Sequence, residues 1–342
     1  MLNNPTKLLF FTTLIGGTLI SISANSWFGV WMGLEINLLS FLPLMMDSKN
    51  SLTNEAALKY FLIQTIASIC LLFSATLMHL TSTVTLLINQ SLFSLLLSST
   101  LLLKMGAAPF HFWFPGTMEG LNWMNCLILM TWQKIAPLTI LSYTIKLDLF
   151  SSIIILSSVI IGSLGGLNQT SLRKLMTYSS INHLGWMIAA MITGENLWKL
   201  YFAIYVFLSS ALIFLFHSCQ TFHINQNFLI LNNQPIMKFI LFSLLLSLGG
   251  LPPFLGFLPK WFVIQTLVEM DLLVLVTIMV IMTLITLFFY LRLSFSAFLL
   301  NFTELKWNMQ LNCKNSTILT SSILSALSCL GLISCSLLFS LF

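Results

Sequence analysis

Four charged side chains interrupt stretches that are otherwise apolar. Glu35 stands in Trp31-Met-Gly-Leu-Glu-Ile-Asn-Leu-Leu-Ser40 and Lys134 in Thr131-Trp-Gln-Lys-Ile-Ala-Pro137. Lys104 lies in Leu101-Leu-Leu-Lys-Met-Gly-Ala-Ala-Pro-Phe-His-Phe-Trp-Phe-Pro115, and Lys260 in Leu246-Ser-Leu-Gly-Gly-Leu-Pro-Pro-Phe-Leu-Gly-Phe-Leu-Pro-Lys-Trp261. A charge at the middle of a bilayer costs about 2.5–3.5 kcal/mol on insertion scales. Left unpaired, four would cost on the order of 10 kcal/mol, as much as the net stability of a whole domain. They are expected to face the interior of a helix bundle and to meet partners or water there.

The chemistry these residue types allow is proton relay. A lysine among apolar neighbours gives up its proton more readily than one in water, and a nearby carboxylate opposes that. A carboxylate–lysine pair can therefore hold or release a proton as its surroundings change. Arginine effectively never deprotonates, and all three deep cations are lysines. The competing reading is a set of buried ion pairs that only fix helix packing. Two histidines join the candidates. His111 follows Gly106 and Pro109, and His183 sits in the polar string Tyr178-Ser-Ser-Ile-Asn-His-Leu-Gly185; each reads equally well as a hydrogen-bonded interior histidine. His79, His217 and His223 fall near span ends and read as interfacial, and the remaining charges read as snorkelling or solvated. No haem ligation, GxGxxG or phosphate loop is evident. The six cysteines, at 70, 126, 219, 313, 329 and 335, are scattered without a CxxC and read as small apolar residues, not metal ligands.

The elements that must hold these residues are helices in a membrane. Of 342 residues, 58% are hydrophobic and 7% charged, against about 25% charged in soluble domains. Apolar stretches of about 20 residues recur from end to end, the length that spans a bilayer of roughly 30 Å. Alternating short segments of the β-barrel kind are not seen. The class expected is all-α and polytopic, with about eleven spans: 8–24, 27–46, 54–80, 88–116, 121–145, 149–168, 174–193, 198–219, 238–268, 272–297 and 316–341. Connections are short, so one transmembrane domain over 1–342 is expected. Connections after even-numbered spans, with the N-terminus, hold Lys7, Lys49, Arg173, Lys174, Lys238, Lys306 and Lys314; the others hold Lys146 and Lys199. That bias places the N-terminus on the cytoplasmic or matrix side. No cleavable signal or transit peptide is read at the start, and no basic run suited to nucleic acid occurs.

The fourth and ninth spans echo one another. Both are over-long, and both break at small residues followed by proline, then run through phenylalanines to another proline. Five spans separate them, so they run in opposite directions. This predicts two inverted five-helix repeats, roughly 8–145 and 149–297, with an extra C-terminal helix at 316–341. Paired interrupted helices are the strongest sequence pointer to a transport site.

The stretches LEINLLSF (34–41), LLLKMGAAPFHFWFP (101–115), MTWQKIAPL (130–138), GGLNQTSLRKLMTYSSINHLGWM (165–187) and LGGLPPFLGFLPKW (248–261) resemble the mitochondrially encoded NADH dehydrogenase subunit 2 family of respiratory complex I, its arthropod members above all. The resemblance covers nearly the whole chain and implies an antiporter-like subunit of the mitochondrial inner membrane, with its N-terminus in the matrix. It implies that Glu35 and Lys104 form the coupling pair, that Lys134 is the central relay, and that Lys260 is the terminal lysine of the second half-channel. His111 and His183 are allowed as further members. It implies no cofactor on this chain, with flavin, iron–sulfur clusters and quinone in other subunits. The partners implied are other membrane-arm subunits, antiporter-like ones included, and lipids such as cardiolipin. Bacterial relatives carry three further N-terminal spans, so a face of the bundle is expected to be covered by another subunit or by lipid. Two alternatives compete: a free-standing cation/proton antiporter, and a structural spacer with no proton path of its own.

Overall fold

In the computed structural model the chain is described over residues 5–47, 50–82, 88–226, 235–296, 298 and 319–331. Regular structure there is helical, apart from one isolated bridge between Ser171 and His223. A helix satisfies its own backbone hydrogen bonds, which a segment surrounded by hydrocarbon must do. Seven helical stretches among the described residues are long and apolar enough to cross a membrane. Lys49, Lys306, Lys314, Cys313 and Cys335 lie outside the described residues, as does much of the expected last span.

The chain divides into two compact units, Met1–Ile154 and Ile155–Phe342. The first holds α1 (Pro5–Ser23), α2 (Trp27–Met45), α3 (Ser51–Ser82), α4 (Ile88–Met105), α5 (Trp113–Gly120), α6 (Trp123–Met130) and α7 (Trp132–Thr144). The helix α8 (Leu149–Gly166) begins there and ends in the second unit. Ser26 caps α2, its hydroxyl accepting from the Gly29 N–H at 3.2 Å. The pair α1–α2 packs closely because small residues face each other. A Cβ built on Gly17 would stand 2.9 Å from the Asn37 nitrogen, so only glycine lets the two backbones meet. α3 packs on α2, α4 and α5, and α7 on α1, α4 and α6.

The second unit continues with α9 (Leu172–Thr193), α10 (Glu195–Cys219), α11 (Pro235–Gly249), α12 (Phe257–Glu269), α13 (Leu273–Phe295) and α14 (Leu319–Gly331). Within it α9 contacts α10 and α12, and α13 contacts α11 and α12. Between Leu172 and Met191 every residue of α9 is buried except Arg173, Lys174 and Tyr178. Protein on all sides lets this helix carry Thr177, Ser179, Ser180, Asn182 and His183 at positions that lipid would not tolerate.

The expected span at 88–116 is interrupted between α4 and α5, and that at 238–268 between α11 and α12. The span at 121–145, expected to be continuous, departs from that expectation. Thr131 (φ −113°, ψ −68°) separates α6 from α7 three residues before Lys134. Its hydroxyl bonds back to the Leu127 carbonyl at 2.7 Å. Pro137, further along, has no N–H and so leaves the Gln133 carbonyl without its helical donor.

Candidate functional site

The two long breaks end their leading helices in the same way. Gly106 and Gly250 both take left-handed φ values, +74° and +84°. At the first, Gly106 N–H donates to the Leu103 carbonyl (3.2 Å) and Ala107 N–H to that of Leu102 (3.1 Å). At the second, Gly250 N–H donates to Ser247 (3.1 Å) and Leu251 N–H to Leu246 (3.5 Å). This is the Schellman pattern twice over, and it asks for a residue without a Cβ at the turning point. Side chains also donate to carbonyls at these helix ends. Trp113 Nε1 donates to Leu103 (3.1 Å), Gln64 Nε2 to Lys104 (3.2 Å), and Lys260 Nζ to Gly249 (2.8 Å).

Lysine precedes the first break in sequence and follows the second, yet both belong to the same kind of helix end. Lys104 occupies the last turn of α4. Lys260, from α12, reaches back to the last carbonyl of α11. A helix C-terminus carries partial negative charge, a favourable neighbour for an ammonium group. A Cβ on Gly250 would come within 2.9 Å of Lys260 Nζ, so this glycine also makes the room in which the ammonium lies.

In the first unit Lys104 and Lys134 line one small cavity. Its volume is about 20 Å³, enough for a single water molecule. The other polar groups on its wall are Asn37, Tyr60, Gln64 and Gln133. Gln133 Nε2 donates to Asn37 Oδ1 at 2.9 Å, and the Tyr60 hydroxyl stands 3.5 Å from Gln133 Oε1. Lys134 is 2% exposed, so its ammonium cannot snorkel to an interface. It lies 5.1 Å from the centre of the Phe114 ring, a desolvated cation–π contact of about 2 kcal/mol. This arrangement can pass a proton between two amines through one water and a set of amide dipoles.

Glu35 is half-buried, where the three lysines are buried, and its charge acts on Lys104 from a distance. An ion pair at 2.6 Å joins Glu55 and Lys59 on the surface of α3. His111 is buried in the first break, with Nδ1 3.3 Å from the Pro109 carbonyl and its ring on Phe112, but it does not line the cavity. His183 is buried on α9, with Nδ1 2.9 Å from the Tyr201 hydroxyl. No group of three His, Cys, Asp or Glu suited to a metal occurs among the described residues.

Sequence reasoning did not single out Asn37, Tyr60, Gln64 or Gln133. Neutral polar residues inside apolar helices were the available signal, Gln133 beside Lys134 and Asn37 two residues from Glu35. It also passed over Tyr201, Tyr205 and Tyr290, all buried in the second unit.

Residues 24–286 match the model of a transmembrane family described as NADH:quinone oxidoreductase/Mrp antiporter. Residues 287–339 match that of the NADH dehydrogenase subunit 2 C-terminus. NADH-ubiquinone oxidoreductase chain 2 of Anopheles gambiae is 54% identical over 97% of both chains, and that of Locusta migratoria 47% identical over the same shares. Among solved structures, a chain of Thermus thermophilus respiratory complex I superposes with a TM-score of 0.84 at 22% identity, over 97% of this chain and 79% of that one. A chain of the Mrp complex of Dietzia superposes with a TM-score of 0.78 at 14% identity, over 96% and 75%. The chain thus carries the antiporter-like fold, and it belongs to the NADH-ubiquinone oxidoreductase chain 2 family.

Proposed function

We propose that this chain is a membrane-arm subunit of proton-pumping NADH:ubiquinone oxidoreductase, respiratory complex I, and that it supplies a proton path through buried lysines. The carrying observation is the cavity shared by Lys104 and Lys134, walled by Asn37, Tyr60, Gln64 and Gln133. Glu35 sets the charge state of Lys104 through space. Because Glu35 is only half-buried in this chain, a neighbouring membrane-arm subunit can act on it. Lys134 is the central station, and Lys260 is the terminal one at the second break. His183 serves as a further station in the second unit, and His111 as one beside the first break.

The wider arrangement follows the same reading. The chain crosses the mitochondrial inner membrane about eleven times with its N-terminus in the matrix. Two inverted repeats, roughly 8–145 and 149–297, are followed by an extra helix. The matched Schellman ends at Gly106 and Gly250 support the repeat. No redox cofactor is held on this chain; flavin, iron–sulfur clusters and quinone belong to partner subunits. Other antiporter-like subunits and lipids, cardiolipin among them, cover its outer faces. Moving one charge against 100 mV costs about 2.3 kcal/mol, so the path must be driven by the redox reaction elsewhere in the complex.

The test is Lys134→Met in the assembled complex, reading protons moved and NADH oxidised in proteoliposomes. Loss of pumping with assembly intact is expected. Full pumping would favour the spacer reading. Sodium–proton exchange by the purified chain alone would favour the free antiporter.

A further inference from the structure

We propose that Tyr290 and Tyr205 form a phenol bridge that carries protons between Lys260 and His183 inside the second unit. This rests on the relay reading given above, which leaves those two stations without a connection. The bridge starts at Lys260. Its ammonium donates to the Gly249 carbonyl at 2.8 Å. Tyr290 of α13 lies against the same glycine, with Cδ2 3.2 Å from where a Gly249 Cβ would stand. Tyr290 lies near Ser179 of α9 without a hydrogen bond to it, and Tyr205 of α10 lies near Ser180, the next residue along. The two phenols are close enough to interact electrostatically. Beyond them, the Tyr205 ring is 5.2 Å from that of His183, and His183 Nδ1 is 2.9 Å from the Tyr201 hydroxyl.

The serines are placed to take part. Ser179 and Ser180 donate to the Met176 and Thr177 carbonyls, each at 2.7 Å. Their oxygens keep lone pairs that can accept from the phenols. Ser179, His183 and Trp186 recur at i, i+4 and i+7, so they share one face of α9. On that face Trp186 Nε1 is buried without a hydrogen-bond partner, and so is Tyr290 Oη on α13. Native interiors satisfy such atoms with ordered water, which would complete the bridge at those two points.

A phenol can both give and receive a proton. In a concerted transfer an N–H bond of the Lys260 ammonium breaks and an O–H bond forms at the first acceptor. Each hydroxyl passes its own proton forward as it gains another, and an imidazole nitrogen of His183 gains the last one. The tyrosines end as they began, and no electrons change hands. The reverse sequence moves a proton the other way.

The test installs Tyr290→Phe, which keeps the ring and removes only the hydroxyl, in the full complex beside Lys260→Met. Expected is a loss of proton-coupled turnover of roughly a hundred-fold or more, the low end for removing a placed proton-transfer group. A larger solvent deuterium isotope effect on the remaining turnover is also expected. Normal turnover in Tyr290→Phe with Lys260→Met inactive would overturn the bridge and leave the relay standing. Normal turnover in both would overturn the relay and the bridge with it. A loss without any change in isotope effect would assign Tyr290 to packing, against the proposal. If Tyr290→Phe fails to assemble, Tyr205→Phe is read by the same two measures.

Discussion

Gln133 shows how much of this site rests on neutral side chains. Its amide donates to Asn37 and faces Tyr60, joining α2 and α3 to the helix that carries Lys134. Asn37 is 3% exposed, so bulk solvent does not reach it. Replacing Gln133 by leucine leaves the Asn37 oxygen unsatisfied, at a cost of about 1–3 kcal/mol. The expected result for Gln133→Leu is a lower thermal midpoint of the purified complex, together with a several-fold fall in pumping. An unchanged midpoint and rate would remove the amide network from the site. The charged stations could be found without a structure, because a lysine in an apolar run has few inexpensive explanations. The amides could not. A glutamine in a helix fits many settings, and its partner here lies 96 positions away.

The helices themselves were mostly legible, because apolar length and Gly/Pro punctuation follow directly from the bilayer and the backbone. The breaks at Gly106 and Gly250 are of that kind. The interruption at Thr131 is not, since threonine is common inside helices and here the side-chain bond to Leu127 does the turning. The common geometry of the two long breaks leads to a prediction about Gly250. Alanine there must adopt φ +84°, at roughly 1–2 kcal/mol. Its Cβ would also stand 2.9 Å from the Lys260 ammonium and push it from the Gly249 carbonyl. Gly250→Ala should therefore lose more pumping than assembly. Gly116→Ala is the control: nothing lies within 4 Å of the new methyl, and within α5 alanine is the better helix former by about 1 kcal/mol. Equal pumping in the two variants would sink the claim that the break holds Lys260 in place.

The proposed stations divide between the two compact units: Lys104 and Lys134 in the first, His183 and Lys260 in the second. On the relay proposal each unit holds part of a path, and the question for the whole chain is whether the parts act in series. The two cases differ in how variants combine. Suppose Lys134 and Lys260 are each replaced by methionine. If they lie on one path, either variant alone should slow proton-coupled turnover by about a hundred-fold or more, and the pair should be slowed little further, because whichever step is blocked already limits the rate. If they serve separate paths, the two fluxes add, so each single variant removes only its own path's share and the pair removes both. The series reading expects the full loss in each single variant and little more in the pair, measured as protons moved and NADH oxidised by the assembled complex in sealed vesicles. It also expects each single variant to lower both quantities together, since a path blocked anywhere holds back the redox reaction that drives it. Partial losses in the single variants that sum in the pair, or pumping that falls while NADH oxidation continues at full rate, would mean that the two units serve separate paths.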